Sequence, residues 1–491
     1  MWAVELCLYA AVLAGAGAVV WRRPVAALYL FLVGLALHNA VMAGLYAAGV
    51  RGSVLTAITA WKEILLAVAF GRVAADALQA RALPFRFTTV DRLALAFGAL
   101  VLVYALVPQS ALGGSAGARA VALGLRHDVV PVAAYFLGRA LVLTRHDLRR
   151  LAWTLAGTAA AVAAVGLVDV YAVSIGWWRT NGVVDYFHRH LGYDYHGTGV
   201  RTEANGAVYG LPENFIYNVG NDRPFLRRLV STFLSPLASG YLFVVALLVG
   251  VAVLRRSRLA QALGAVVAAG LLWTFSRSSL LALAAGLVVY AGVRRRVAPV
   301  AAAAAIVAAA LVWVHVFPKI GPTGDWTRVD RAYQHAQGAN GPTTFTGAST
   351  NEPSLHSHWI SLREGVRTVA RHPQGYGLGN VGQTASRTGT PLKAGESNYT
   401  ELGVELGLLG SVLWIAWGVG LLVALVRAGR DDAHAAGIAA AFAAVLALAV
   451  QSDVIGDPWV AYCVWGLGGA LALRTRPEER LAGASRTAVA S

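Results

Sequence analysis

The sequence predicts an all-α protein: a polytopic membrane helix bundle of about 12–13 transmembrane helices, with a large extracytoplasmic loop region containing short amphipathic helices. Three observations predict it. Of the 491 residues, 57% are hydrophobic and only 13% charged, where a soluble domain carries about 25% charged residues. The apolar residues come in long blocks and not in alternating faces. Short arginine clusters separate those blocks at alternate connections.

A bilayer core takes roughly 20 apolar residues of helix. Blocks of that order lie at 2–20, 24–48, 53–77, 91–108, 121–143, 151–177, 230–253, 259–275, 278–293, 297–317, 400–426, 434–455 and 458–474. The first block lacks a basic leader and an A-x-A cleavage site, so it reads as a retained helix. The organisation that follows is N-terminal transmembrane helices over 1–177, a first extracytoplasmic loop over 178–229 and central transmembrane helices over 230–317. A large extracytoplasmic loop over 318–399, C-terminal transmembrane helices over 400–474 and a cytoplasmic tail over 475–491 complete it.

The net charge is +16, and lysine occurs only at Lys62, Lys319 and Lys393. Arginines interleaved with apolar blocks are topology signals, not a nucleic-acid stripe. Arg22 and Arg23, then Arg81, Arg86 and Arg92, then Arg145, Arg149 and Arg150 fall in alternate gaps. Arg255, Arg256 and Arg258, then Arg294 to Arg296, then Arg427 and Arg430, and finally Arg474 and Arg476 continue the series. The positive-inside rule makes these connections cytoplasmic, with the N-terminus outside, the C-terminus inside and both long loops outside. The protein is then expected in the bacterial cytoplasmic membrane. Cys7 and Cys463 both lie in apolar blocks, so there is no disulfide framework. His38, His315, His356 and His358 show no metal-ligand spacing.

Ionisable groups at membrane depth require a reason. Arg277 stands in TFSRSSLL between two blocks, ringed by Ser276, Ser278 and Ser279 on the side where positive charge is disfavoured. It reads as a bidentate grip for phosphate or pyrophosphate, or as an interfacial arginine snorkelling to headgroups. Arg223, Arg227 and Arg228 precede STFLSPLASG, where Ser231 or Thr232 would cap the seventh span. With Arg277 they form an anion site, or else a solvated charge run. Arg126, beside Asp128 near the outer end of the fifth span, would join that cluster. Lys62 and Glu63, in mid-span, would satisfy each other or another polar group inside the bundle.

In ARHPQGYGLGNVG (370–382) the glycines imply a tight turn, and with no preceding strand it is neither a Rossmann nor a P-loop signature. In ESNYTELGVELGLLG (396–410), Asn398 would cap the next helix, and Glu401 and Glu405 lie one helical turn apart. Those carboxylates pair with an arginine, hold a helix end, or serve as a general base. Residues 359–371 alternate apolar and charged positions as an amphipathic helix on the membrane surface or over a cavity.

At these residues the sequence resembles the O-antigen ligase and polysaccharide polymerase family of bacterial envelope glycosyltransferases. RRLVSTFLSPLASGYL, TFSRSSLLALAAGLVVY, REGVRTVARHPQGYGLGNVG and ESNYTELGVELGLLG are similar, in that order, to four landmarks of the family. The motif likeness covers about 225–425, and the topology extends it to the whole chain. The resemblance implies a membrane-embedded, inverting, metal-independent glycosyltransferase without a cofactor. Its donor would be a glycan on undecaprenyl pyrophosphate, its acceptor a glycan or lipid hydroxyl, and its surroundings the lipid bilayer. Carried over, Arg228 and Arg277 would bind the pyrophosphate, with Arg227, Arg126, Asn398 and Glu401 in the substrate site. Ligases of the family carry a histidine where this chain has Ser397, and serine is no base unaided. Glu396 is the expected base, with His372 in reserve, and the balance favours polymerisation over ligation. The alternatives are a transporter or flippase of lipid-linked glycan, for which no internal repeat is evident, and a non-catalytic scaffold.

Overall fold

A computed structural model describes residues 2–193, 201–204, 207–211, 215–217, 224–254, 256–336, 353–393 and 397–472. Each apolar block is helical. The first half holds α1 (Trp2–Arg22), α2 (Ala26–Ala47), α3 (Gly52–Thr59), α4 (Trp61–Ala80), α5 (Thr89–Leu106), α6 (Ala118–Ala140) and α7 (Arg145–Ala172). The centre holds α8 (Pro236–Val253), α9 (Arg258–Trp273), α10 (Arg277–Arg294) and α11 (Ala298–Ile320). Then come α12 (Pro353–Arg371), α13 (Asn398–Gly429), α14 (Ala433–Leu448) and α15 (Trp465–Ala472), the last preceded by a π-helical turn Val460–Val464.

Among the described residues, eight helices are long and apolar enough to cross a membrane, or nine if α3 and α4 form one span bent by 41°. The remaining blocks are shorter apolar helices, Leu6–Arg22, Arg258–Trp273, Ala433–Leu448 and Val460–Ala472. Large apolar side chains point outward along several of them, among them Leu102, Leu311, Val312 and Val419. An outward apolar belt on helices whose backbone bonds are internally closed suits hydrocarbon surroundings.

Small residues set the closest helix contacts, as expected where lipid supplies no hydrophobic drive and backbones must meet. A Cβ on Gly138 of α6 would lie 1.9 Å from the Gly466 carbonyl of α15, and one on Gly286 of α10 would lie 2.8 Å from the Ala440 carbonyl of α14. Around these seams Trp414, Trp417 and Trp465 pack with Phe97, Tyr135 and Phe442, with ring centroids as close as 4.4 Å.

The arginine clusters do converge on one end of the bundle. Thr88 and Asp91 form a capping box on α5, and Asp91 also receives Arg139 Nε at 2.8 Å and Tyr135 Oη at 2.7 Å. Thr144 and Asp147 cap α7 in the same way, and Asp147 pairs with Arg23 at 2.5 Å. Arg294 Nη1 donates to the carbonyls of Gly429 and Arg430 at 3.2 and 2.9 Å.

The two long loops gather at the opposite end and depart from the all-α expectation. Strands β1 (Arg201–Ala204) and β2 (Ala207–Gly210) pair antiparallel, while β3 (Ile216–Tyr217), β4 (Phe225–Arg227) and β5 (Thr323–Gly324) form a small antiparallel sheet that stitches one loop to the other. The chain entering α8 is buried, so its amides need partners. Arg227, Arg228 and Leu229 donate theirs to the carbonyls of Pro322, Phe215 and Trp273 at 2.7, 3.0 and 3.0 Å. An extended strand meets that demand where a helix would not reach across the loops. A second stitch is Asp330, fully buried, which takes Arg179 at 2.6 and 3.1 Å.

Candidate functional site

The site is built where β4 runs past the turn between α9 and α10. Arg228, only 8% exposed, donates from Nε to the Thr274 carbonyl at 2.8 Å. Three residues on, Arg277 opens α10, half-buried, behind Ser276, whose hydroxyl caps the helix by accepting from the Ser279 amide at 3.3 Å. Ser276 Oγ lies 3.2 Å from Ser278 Oγ and 2.8 Å from Ser279 Oγ. Arg228 and Arg277 therefore belong to one junction, with hydroxyls between the helix end and its surroundings. The junction is also conformationally unusual. Ser231, Leu234 and Phe275 have φ of 49°, 54° and 49°, in the left-handed region that costs non-glycine residues energy and collects at functional sites.

Three sequence expectations about this junction change. Arg227 does not face the anion site; it donates to the carbonyls of Val173 and Val170 at the end of α7, with Asp169 at 3.5 Å. It closes the unsatisfied carboxyl end of that helix. Neither Ser231 nor Thr232 caps α8: Ser231 Oγ donates to Val162 O at 2.6 Å, Thr232 Oγ1 to Ala36 O at 2.7 Å, and Ser235 supplies the cap. Arg126 spends its guanidinium on Glu63 at 2.6 Å. Glu63 is shared with Lys62 at 3.6 Å, and Lys62 Nζ also donates to Thr59 O at 2.7 Å, at the break between α3 and α4.

In the glycine-rich turn the amides of Gly375, Tyr376, Gly377 and Gly379 are occupied by the protein and do not face an anion. Tyr376 and Gly377 donate to the carbonyls of Val404 and Glu405 at 2.7 and 2.9 Å, and Leu408 donates back to Pro373 O at 2.8 Å. Gly379 N–H meets Glu405 Oε1 at 2.7 Å. This pairing is possible because α13 breaks at Gly407, whose φ of 73° and ψ of −176° open the helix to an incoming strand-like segment. On the other side, a Cβ at Gly377 would fall 1.8 Å from Gln109 Oε1. His372 is likewise engaged, with Nε2 2.8 Å from Leu112 O and its ring stacked on Tyr376 at 3.9 Å. It is a bolt between α12 and the 107–117 connection. Glu401 sits against the start of the short helix Gly382–Thr388, where a Cβ on Gly382 would come within 2.3 Å of its Oε1. Glu396 lies outside the described residues, as does Arg223.

Asn398 does not cap α13; its side chain turns away to a cluster that the sequence reading did not assemble. Asn398 Nδ2 donates to Asp453 Oδ1 at 2.6 Å, and its Oδ1 accepts from the amides of Val454 and Ile455 at 2.7 and 3.3 Å. His127 Nε2 lies 3.0 Å from both oxygens of Asp453, and its Nδ1 lies 2.7 Å from Asp128 Oδ1. Burial works against ionisation of Asp453, yet His127, Asn398 and the Gly456 amide outweigh it and hold the carboxyl below its ordinary value. Burial and the neighbouring Asp453 push Asp457 up to about 6. The available signal was a pair of carboxylates, Asp453 and Asp457, inside an otherwise apolar C-terminal region.

Helix packing fixes the level of this cluster relative to the arginines. α10 and α14 run antiparallel, with Gly286 against Ala440 and Arg294 beside Gly429. Equal steps from Gly286 and Ala440 bring Arg277 and Ala449 to the same height. Ala449 O accepts from the Asn398 amide and Ser397 Oγ, both at 3.1 Å. Two guanidiniums and a hydrogen-bonded carboxylate thus share the loop end of the bundle, a composition that can bind a diphosphate and accept a proton.

No protein-family model matches the chain, and no curated protein is similar to it in sequence.

Proposed function

We propose that the chain is a membrane glycosyltransferase of the O-antigen ligase and polymerase type, moving a glycan from undecaprenyl pyrophosphate to an acceptor hydroxyl at the outer face of the cytoplasmic membrane. The reading is carried by one observation: buried Arg228 is bonded to the very turn that starts the helix of Arg277. Two fixed guanidiniums beside serine hydroxyls suit a pyrophosphate leaving group, whose growing negative charge they stabilise without reorganising. In the reaction the acceptor oxygen bonds to the anomeric carbon from the face opposite the pyrophosphate. The bond from that carbon to the phosphate oxygen breaks, and its electron pair leaves on the undecaprenyl pyrophosphate. The hydroxyl proton passes to a carboxylate. Asp453 is the best candidate, because among the described residues its Oδ2 makes only the His127 contact while Oδ1 is anchored by Asn398, Gly456 and His127. Asp128 and His127 would position it. His372 and Glu401 are engaged in packing the loop end, and the polymerase reading retains preference over ligation through the residues around Asn398.

The test is turnover of a lipid-linked oligosaccharide by the purified chain in nanodiscs, with no ion gradient. Wild type should transfer the glycan, and Arg277→Ala should lose about 10²–10³-fold in rate while keeping its melting temperature. Transfer by both at equal rates would remove the arginine site from the mechanism. A flippase reading draws on the broken helix at α3 and α4 with Lys62 buried beside the break. It requires movement of intact donor between leaflets and no new glycosidic bond.

A further inference from the structure

We infer that the arginine-rich end of the bundle carries a binding site for the phosphate group of an anionic phospholipid, in the cleft between α2 and the start of α7. A cavity of about 480 Å³ opens there, lined by Arg23, Tyr29, His146, Arg149, Arg150 and Trp153. Its size is of the order of small-ligand sites, roughly 300–1,000 Å³, and exceeds what a bare phosphate fills.

The charge balance calls for an anion. Asp147, next to the lining residue His146, is consumed by the α7 capping box and by Arg23 at 2.5 Å. Tyr29 Oη donates to the Asp147 carbonyl at 3.2 Å, which locks α2 to α7 beneath the cavity. Among the described residues, His146, Arg149 and Arg150 have no hydrogen-bond or ion-pair partner, and all three are exposed. They also stand in the first two turns of α7, where the helix dipole is already positive and cations are unfavourable. An anion seated between them would relieve both effects, and guanidiniums bind phosphate in paired geometry.

The lipid source follows from the walls. Trp153 is half-buried against the apolar core and Tyr29 packs on that core with its hydroxyl at the rim, the arrangement of aromatic residues at a membrane–water interface. Basic pockets between helices at the cytoplasmic side hold anionic headgroups, and the arginine pattern assigns this end to that side. A soluble phosphate has no use for the aromatic walls. The site lies at the opposite end of the bundle from Arg228 and Arg277, so it does not depend on the transfer reading.

The experiment is native mass spectrometry of the full chain released from nanodiscs of phosphatidylcholine alone or mixed with phosphatidylglycerol. Wild type should retain phosphatidylglycerol in preference to phosphatidylcholine. Arg149→Gln with Arg150→Gln should cut that retention roughly thirtyfold, at about 1 kcal/mol for each basic residue removed. Arg149→Lys with Arg150→Lys should keep most of it, and Arg92→Gln, exposed at the same end but outside the cavity, should keep all of it. Equal retention of the two lipids by wild type, or an equal loss in Arg92→Gln, overturns the proposal. In a separate arm, inorganic phosphate is added to the chain in phosphatidylcholine. If it raises the melting temperature of wild type as much as phosphatidylglycerol does, the site belongs to soluble phosphate and the lipid assignment falls.

Discussion

At the arginine-rich end, Arg139 gives its guanidinium to Asp91 and Arg23 gives its own to Asp147. At the loop end, Arg228 donates from Nε to a main-chain carbonyl, and Arg227 reaches two more with Asp169 3.5 Å away. The two partners do different things. A carboxylate cancels the charge it holds, whereas a carbonyl fixes the group and that bond leaves the charge in place. Buried arginine at the first end is therefore a device for locking helices together. At the second, Arg227 is shared between carbonyls and Asp169, while Arg228 is held at a defined point by a carbonyl of the turn that starts the helix of Arg277.

The comparison breaks first at the locked end. Arg139→Met leaves Asp91, fully buried, without its cation, and loss of one partner of a buried pair costs about 3–5 kcal/mol. Chemical unfolding in detergent should report a loss of that size. If stability is unchanged, the pair is not structural and the distinction between the ends fails.

Asp453→Asn is the matching test at the loop end. It keeps the shape that Asn398 and Gly456 hold but removes the proton acceptor. Transfer should drop by about 10²–10⁴-fold in kcat, with donor KM and melting temperature close to wild type. A drop in stability without a selective loss of kcat would reduce the cluster to packing.

Gly377→Ala sharpens the account of the glycine-rich turn. Its φ of 89° and the 1.8 Å approach a Cβ would make to Gln109 Oε1 predict destabilisation of about 1–3 kcal/mol, as for overpacking and backbone strain together. Calorimetry of the variant measures it. Tolerance of the methyl group would mean that the turn is looser than its hydrogen bonds imply.

The smallest effect lies back at the arginine-rich end, at the cap of α14. Asp432 accepts from the amides of His434 and Ala435. The His434 side chain, followed by these amides, outweighs burial and lowers its carboxyl to about 2. A depressed folded-state pKa gives stability that is present above the unfolded value near 4 and lost as pH falls towards 2. Asp432→Ala should therefore cost about 1 kcal/mol at neutral pH, with the difference from wild type vanishing as the solution is acidified through that window. A pH-independent difference would point to another cause.

Much of this was legible in the residues. Helices occupy every expected block, because a run of about 20 apolar residues has few other ways to satisfy its backbone in lipid. The pairing of Lys62 with Glu63 and the joining of Arg228 to the Arg277 turn were also foreseeable from charges that needed partners. The small sheet was not, since β4 and β5 are distant in sequence and each is too short to carry a pattern. The glycine-rich turn was legible as a tight turn; its partner, the break at Gly407, looks from the sequence like one more glycine in a helix. Asp453 stands far along the chain from Asn398 and His127, so no spacing links them.

Composition and periodicity thus determined the helical bundle, and arginine placement its two ends, because both are one-dimensional consequences of solvation cost along a chain. Which buried charge meets a carboxylate, which meets a carbonyl, and which carboxylate meets a histidine were decided by tertiary packing. Those choices depend on the direction of a side chain within a few ångströms of groups drawn from other helices, and a sequence carries no such distances.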